Sequence, residues 1–148
     1  MAQAVSYSKL KDRLQEFLET TRDEEGGLKY RARISQVVAE TSGSLFIDYE
    51  DLALFDPEVS QEVQTHPEST FKAFEDAAFE VLSQEIPAYA EKFSGLKVRL
   101  RSLPGAISVR SISSDKLDKL VAVTGMIVRV SELKPLALDA GFKCRRCN

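Results

Sequence analysis

Cys144-Arg145-Arg146-Cys147 is the sharpest chemical spacing in this sequence. Two thiolates separated by two residues make a knuckle that holds one side of a tetrahedral zinc ion. A structural zinc needs four ligands, and the 148 residues contain two cysteines. Cys144 and Cys147 are therefore read as half a metal site, with no cofactor expected on them in this chain. A redox reading would need the motif to open a helix after a strand in a thioredoxin-like unit. Here the sequence runs on only to Asn148, and the expectation is a chain cut inside a zinc ribbon.

A second group of residues is cationic. Lys97, Arg99, Arg101, Arg110, Arg129, Lys134, Lys143, Arg145 and Arg146 all follow residue 95. Residues 1–95 carry 9 Lys+Arg against 19 Asp+Glu, a net of −10, and residues 96–148 carry 11 against 4, a net of +7. An asymmetry of this size predicts two units with different partners. Cations alternating along strands neutralise phosphates and release counterions, as in barrel-like binders of single strands. Phe142 is the one aromatic residue after residue 95, so base stacking is expected to be a minor term beside a salt-sensitive one. The acidic unit is expected to avoid DNA and to contact protein.

No catalytic constellation is expected within these 148 residues. A Walker A loop needs Gly-Lys-Ser/Thr, and no glycine here precedes a lysine. His66, the single histidine, stands directly before Pro67 and reads as a junction between two helices. Glu24-Glu25 and Glu75-Asp76 read as solvated faces. No apolar run approaches the roughly 20 residues that span a bilayer, and Met1 to Val5 lacks the basic and apolar regions of a signal peptide. An intracellular setting without membrane contact is expected.

These residues must be positioned by elements the pattern also predicts. Tyr7, Leu10, Leu14, Phe17 and Leu18 make one helical stripe, with Ser6 as N-cap and Gly26-Gly27 closing the unit. Tyr30, Ile34, Val37 and Val38 make a second. Leu45 to Tyr49 reads as a strand. Asp56-Pro57 starts a short helix to about Thr65, and Pro67 opens another, carrying Phe71, Phe74, Ala78, Val81 and Leu82, which Pro87 ends. After Ser94-Gly95 the period changes to that of strands. Lys97–Arg101 and Leu136–Phe142 alternate, Ser108–Ile112 less regularly, Val121–Val130 is a β-branched run interrupted by Gly125, and Ser113-Ser114-Asp115 reads as one capped helical turn. The expected fold class is α+β. A helical bundle with a short strand, residues 1–95, precedes a basic β segment, residues 96–148.

The residues also resemble a family. Leu120-Val-Ala-Val-Thr-Gly-Met-Ile-Val-Arg-Val130, Leu133-Lys134-Pro135 and Phe142-Lys-Cys-Arg-Arg-Cys147 resemble the oligonucleotide/oligosaccharide-binding (OB) domain of minichromosome maintenance (MCM) proteins. Met126-Ile127-Val128 lengthens the family's Ile-Val step by one residue. Arg110 to Ser114 resembles the entry to that domain. Ser44-Leu-Phe-Ile-Asp-Tyr-Glu-Asp-Leu52 resembles an upstream signature of the same family. The short N-terminus looks archaeal-like.

The resemblance implies a parent that is an ATP-dependent replicative DNA helicase, a hexameric ring that unwinds DNA at replication forks. The fold would end in the first strands of an incomplete OB-type β-barrel, truncated in its zinc ribbon. Arg129 and Lys134 fall where the family places residues that contact single-stranded DNA. Zinc, ATP and magnesium would belong to that parent. Its partners would be DNA, other subunits of the ring and replication regulatory proteins bound by the acidic unit. It would be cytoplasmic if archaeal and nuclear if eukaryotic. The alternative is a non-enzymatic interaction module of a zinc-ribbon replication or transcription accessory factor.

Overall fold

The computed structural model describes residues 7–40, 43–90, 95–135, 141–142 and 146. Helix α1 (Tyr7–Thr20) buries Leu10, Leu14, Phe17 and Leu18, one stripe at the helical period. It stops six residues before Gly26. The hydroxyls of Thr20 and Thr21 turn back to the carbonyls of Glu16 and Phe17, at 2.7 and 2.6 Å. Gly26-Gly27 instead lies in a small loop, where Gly26 takes φ +84 and Asp23 Oδ1 accepts the Gly27 N–H at 2.7 Å. Ser6 lies outside the described residues.

Helix α2 (Lys29–Glu40) buries Tyr30, Ile34 and Val37. Strand β1 (Ser44–Asp48) follows, with Leu45 and Ile47 facing the core. The strand expected to run to Tyr49 ends at Asp48. Tyr49 instead opens α3 (Tyr49–Phe55), whose first turn carries Glu50 and Asp51, acids that suit the positive end of a helix. Asp56 caps α4 (Pro57–Thr65), accepting the N–H groups of Glu58 and Val59 at 3.0 and 3.2 Å. His66 joins α4 to α5 (Pro67–Glu85), and α6 (Pro87–Ala90) starts at the expected breaker.

The core forms where α5 meets α1. On α5, Ala73, Ala77 and Ala78 are small enough to let α1 approach, and Phe74, Val81 and Leu82 fill the remaining space. The ring of Phe17 stands 4.9 Å from Tyr30, 5.4 Å from Phe55 and 6.0 Å from Phe74, so one side chain ties four helices together.

Strand β2 (Lys97–Arg101) pairs in parallel with β1, in register Ser44↔Lys97 to Asp48↔Arg101. The first basic strand therefore completes the sheet of the helical unit. Val98 packs into that core, and the Nζ of Lys97 meets Glu75 of α5 at 2.9 Å.

Beyond β2 the described residues form a two-stranded parallel pair, β3 (Ile107–Ser108) with β4 (Val123–Thr124). The strand expected over Ser108–Ile112 turns into a 3-10 turn at Val109–Ser111, closed by the 2.9 Å contact between the Ser108 and Ser111 hydroxyls. The run expected over Val121–Val130 pairs only at Val123 and Thr124. The reason is geometric: β3 offers two residues, and further extended backbone has no ladder to join. Met126, Ile127, Val128 and Val130 are all exposed, Met126 to 88% and Val128 to 90%. The turn at Ser113 to Asp115 is present as a 3-10 turn, Ser114–Lys116. After it, the N–H of Leu120 reaches the carbonyl of Gln64 at 3.0 Å, which fastens this segment to the end of α4. Most of the strand expected over Leu136–Phe142 lies outside the described residues. The fold class is α+β, with no closed barrel among the described residues.

Candidate nucleic-acid interface

The cations after residue 95 divide by what they touch. Lys97 pairs with Glu75, Arg99 Nε meets the Ser44 hydroxyl at 3.3 Å, and the Arg101 guanidinium lies 3.9 Å over the Phe46 ring. These three, expected to track a phosphate backbone, are engaged with the helical unit. Lys116 pairs with Asp115 at 3.0 Å. The Ser113 hydroxyl and Lys116 hold the Asp115 carboxyl down to about 2. Arg110, Lys119, Arg129 and Lys134 meet no carboxylate among the described residues.

Arg129 and Lys134 are exposed and stand on the irregular stretch 125–135. Arg110 lies in the 3-10 turn after β3, and the chain beyond β4 passes close to its neighbour Val109, since a Cβ added at Gly125 would lie 3.0 Å from Val109 Cγ2. A side chain here would press on that valine methyl group, and no left-handed dihedral angle is involved. Irregular and exposed, with Arg129 and Lys134 against the single acid Glu132, this stretch can meet a polyanion.

Cys144 and Cys147 lie outside the described residues. Among the described residues no group of three or more His, Cys, Asp or Glu could hold a metal ion. His66 is engaged with Glu62 at 3.1 Å at the junction of α4 and α5. The donor set in this chain, two thiols, does not fit a closed tetrahedral site. No helix of the described residues is long and apolar enough to cross a membrane.

One polar cluster was not foreseen as such. Tyr30, buried on α2, donates its hydroxyl to Asp51 and accepts the Asp48 N–H at 3.1 Å. Lys29 Nζ lies 2.6 Å from Asp51 and 3.1 Å from Asp48, and Arg33 reaches Asp48 at 2.9 Å. Both cations also stand over the Tyr30 ring, at 5.8 and 5.3 Å from its centroid. Burial, then the Asp51 bond, pushes the Tyr30 hydroxyl far up. Burial works to raise the Asp48 carboxyl, but Lys29 and Arg33 outweigh it and hold that group below its ordinary range. The signal was present in the spacing, Lys29 and Arg33 four apart on a helix and Asp48 and Asp51 three apart.

Residues 11–102 match the MCM N-terminal domain, and residues 108–148 match the MCM OB domain. This chain belongs to the MCM family. Minichromosome maintenance protein MCM of Saccharolobus solfataricus is 28% identical over 128 residues, 86% of this chain and 19% of the relative. DNA replication licensing factor mcm2 of Xenopus tropicalis is 27% identical over 148 residues, 100% of this chain and 17% of the relative. DNA replication licensing factor mcm5-A of Xenopus laevis is 29% identical over 147 residues, 95% of this chain and 20% of the relative. The chain thus spans about a fifth of the length of the relatives it matches. Within the MCM N-terminal match, the stretch Ser44 to Leu52 is accounted for physically. Leu45, Ile47 and Leu52 are core, Asp48 and Asp51 bind α2, and the Tyr49 hydroxyl receives Gln64 Nε2 at 2.5 Å. The MCM OB match takes in Ser108 of β3 and both residues of β4, in an OB-type domain that is incomplete here.

Proposed function

We propose that this chain is the N-terminal regulatory and DNA-contacting part of a hexameric, ATP-dependent replicative DNA helicase. The observation that carries the reading is the exposed, carboxylate-free pair Arg129 and Lys134 on the stretch that matches the MCM OB domain. The names of the relatives, DNA replication licensing factors, agree with it. In this reading Arg129 and Lys134 neutralise phosphates of single-stranded DNA, so affinity is electrostatic and carries little sequence information. The ATP-driven step belongs to a motor module outside these residues, and the parent's zinc to a ligand set that Cys144 and Cys147 begin.

The division into an acidic helical unit, 1–95, and a basic β unit, 96–148, is part of the proposal. Through the β1–β2 pairing, the first strand of the basic unit, Lys97–Arg101, shares one sheet with the acidic unit. The acidic unit is assigned contacts with replication regulatory proteins, and the ring its contacts with other subunits. The protein acts in the nucleus, or in the cytoplasm of a cell without one.

The test is a nuclear magnetic resonance titration of the chain with a single-stranded oligonucleotide at low salt. The amides around Arg129 and Lys134 shift, and added salt reverses the shifts. Shifts confined to the helical unit, or shifts that salt leaves untouched, would sink the reading.

A further inference from the structure

The two outer edges of the β1–β2 sheet are treated differently. In a parallel pair, successive residues turn their main-chain groups alternately toward the partner and away from it. The N–H of Lys97 donates to the Gly43 carbonyl at 2.9 Å. That bond sets the phase. Lys97, Arg99 and Arg101 face β1 through their main chain, and Val98 and Leu100 face outward. On β1, Phe46 and Asp48 face outward in the same way. There α2 closes the edge: Arg33 Nη1 donates to the Phe46 carbonyl at 2.9 Å, and the Asp48 N–H donates to Tyr30 Oη at 3.1 Å. On β2, no described residue bonds the main-chain N–H or C=O of Val98 or Leu100.

The side chains along this open edge carry one sign. Lys97, Arg99 and Arg101 are exposed, and Val98 is turned into the core. Lys97 has Glu75, but Arg99 has only the Ser44 hydroxyl and Arg101 only the Phe46 ring. We propose that the outer edge of β2 is a docking site for an extended acidic segment of another protein, which adds to the sheet as a third strand. Main-chain bonds to Val98 and Leu100 hold such a segment, and carboxylates beside Arg99 and Arg101 select it. A second copy of this chain fits poorly, because two β2 edges would set their arginines against one another. A nucleic-acid strand could satisfy the arginines but lacks the alternating amide ladder. The inference is independent of the DNA-contacting reading, which concerns residues beyond β4.

The probe is a peptide of alternating glutamate and valine, seven residues long, titrated into the full 148-residue chain. Three controls accompany it: its lysine counterpart, the same peptide N-methylated at every amide, and single-stranded DNA. The expected result is saturable binding with shifts and slowed hydrogen exchange at the Val98 and Leu100 amides. Arg99→Glu with Arg101→Glu weakens it about tenfold or more. The N-methylated peptide fails on the unaltered chain, a control that needs no folded variant. Equal binding by the N-methylated or lysine peptide overturns the proposal. So does protection of Val98 and Leu100 by self-association, or by DNA in place of the acidic peptide.

Discussion

The hydroxyl of Tyr30 accepts the main-chain N–H of Asp48 at 3.1 Å, so a side chain of α2 finishes the hydrogen bonding of β1. The same hydroxyl donates to Asp51 in the first turn of α3. Three elements therefore meet on one oxygen. Tyr30→Phe keeps the ring that packs on Phe17 and removes only that oxygen. It leaves a main-chain donor and a carboxylate short of a partner, and should cost about 1–3 kcal/mol. Urea unfolding measures this, and a loss under about 0.5 kcal/mol would mean that water replaces the hydroxyl.

Asp48 makes the helical unit sensitive to acid. Its carboxyl is held below the ordinary value of 3.8 by Lys29 and Arg33, against the opposing effect of burial. A depressed carboxylate contributes stability above its unfolded value, and loses it as pH falls through the folded one. Thermal unfolding followed below about pH 5 should show this decline, and Asp48→Asn should flatten it while lowering stability at neutral pH. A steep decline that survives in Asp48→Asn would place the titration elsewhere.

Arg129→Ala with Lys134→Ala tests the proposed DNA contact of the stretch after β4. Each lost phosphate contact lowers the slope of log affinity against log salt by about 0.7 for a single strand, about 1.4 for both. Because both side chains are exposed, the melting temperature should not move. An unchanged slope would show that other cations carry the contact.

Gly125→Ala places a methyl group 3.0 Å from Val109 Cγ2. The β3–β4 junction has to open slightly, at a local cost of about 1 kcal/mol. Faster hydrogen exchange is expected at Ile107, whose N–H bonds the Ala122 carbonyl at 2.9 Å, with no change in the α1–α5 core. Unaltered exchange at Ile107 would mean that Val109 simply rotates away.

Zinc should add little to this chain. Two thiolates supply half of a tetrahedral set, so a chromophoric chelator should recover an equimolar load completely and the melting curve should be unchanged. Retention of one zinc per chain against the chelator would show that further ligands are recruited.

The helices were legible because their stripes are long and the breakers sharp. Leu10, Leu14 and Phe17 repeat over about two turns of α1, and Asp56-Pro57 and Pro67 each mark a start that local chemistry alone decides. α3 was hidden because Tyr49, adjoining an apolar alternation, prolongs a strand pattern that in fact ends at Asp48. Partnership was the larger blind spot. Alternation shows that Lys97–Arg101 is a strand, but pairing with β1, more than fifty residues earlier, depends on the whole bundle. For the same reason Val121–Val130, rich in strand formers, pairs only where β3 lies beside it. Among the candidate site residues, Arg129 and Lys134 stand apart from the other cations only through the family resemblance, since charge alone does not rank them. The engagement of Arg99 and Arg101 with Ser44 and Phe46 was not legible, since it follows from the register.

That register has a kinetic meaning. Ser44 and Lys97 become neighbours only after α3, α4 and α5 have returned the chain across the bundle. Closing so long a loop costs entropy before the ladder repays any of it, and contacts of this range form slowly. The helices can condense around Phe17 first, while β2 joins last, on a surface already built. During synthesis the helical unit therefore stays unfinished until Arg101 has emerged, and its completion and the start of the next segment fall at nearly the same moment.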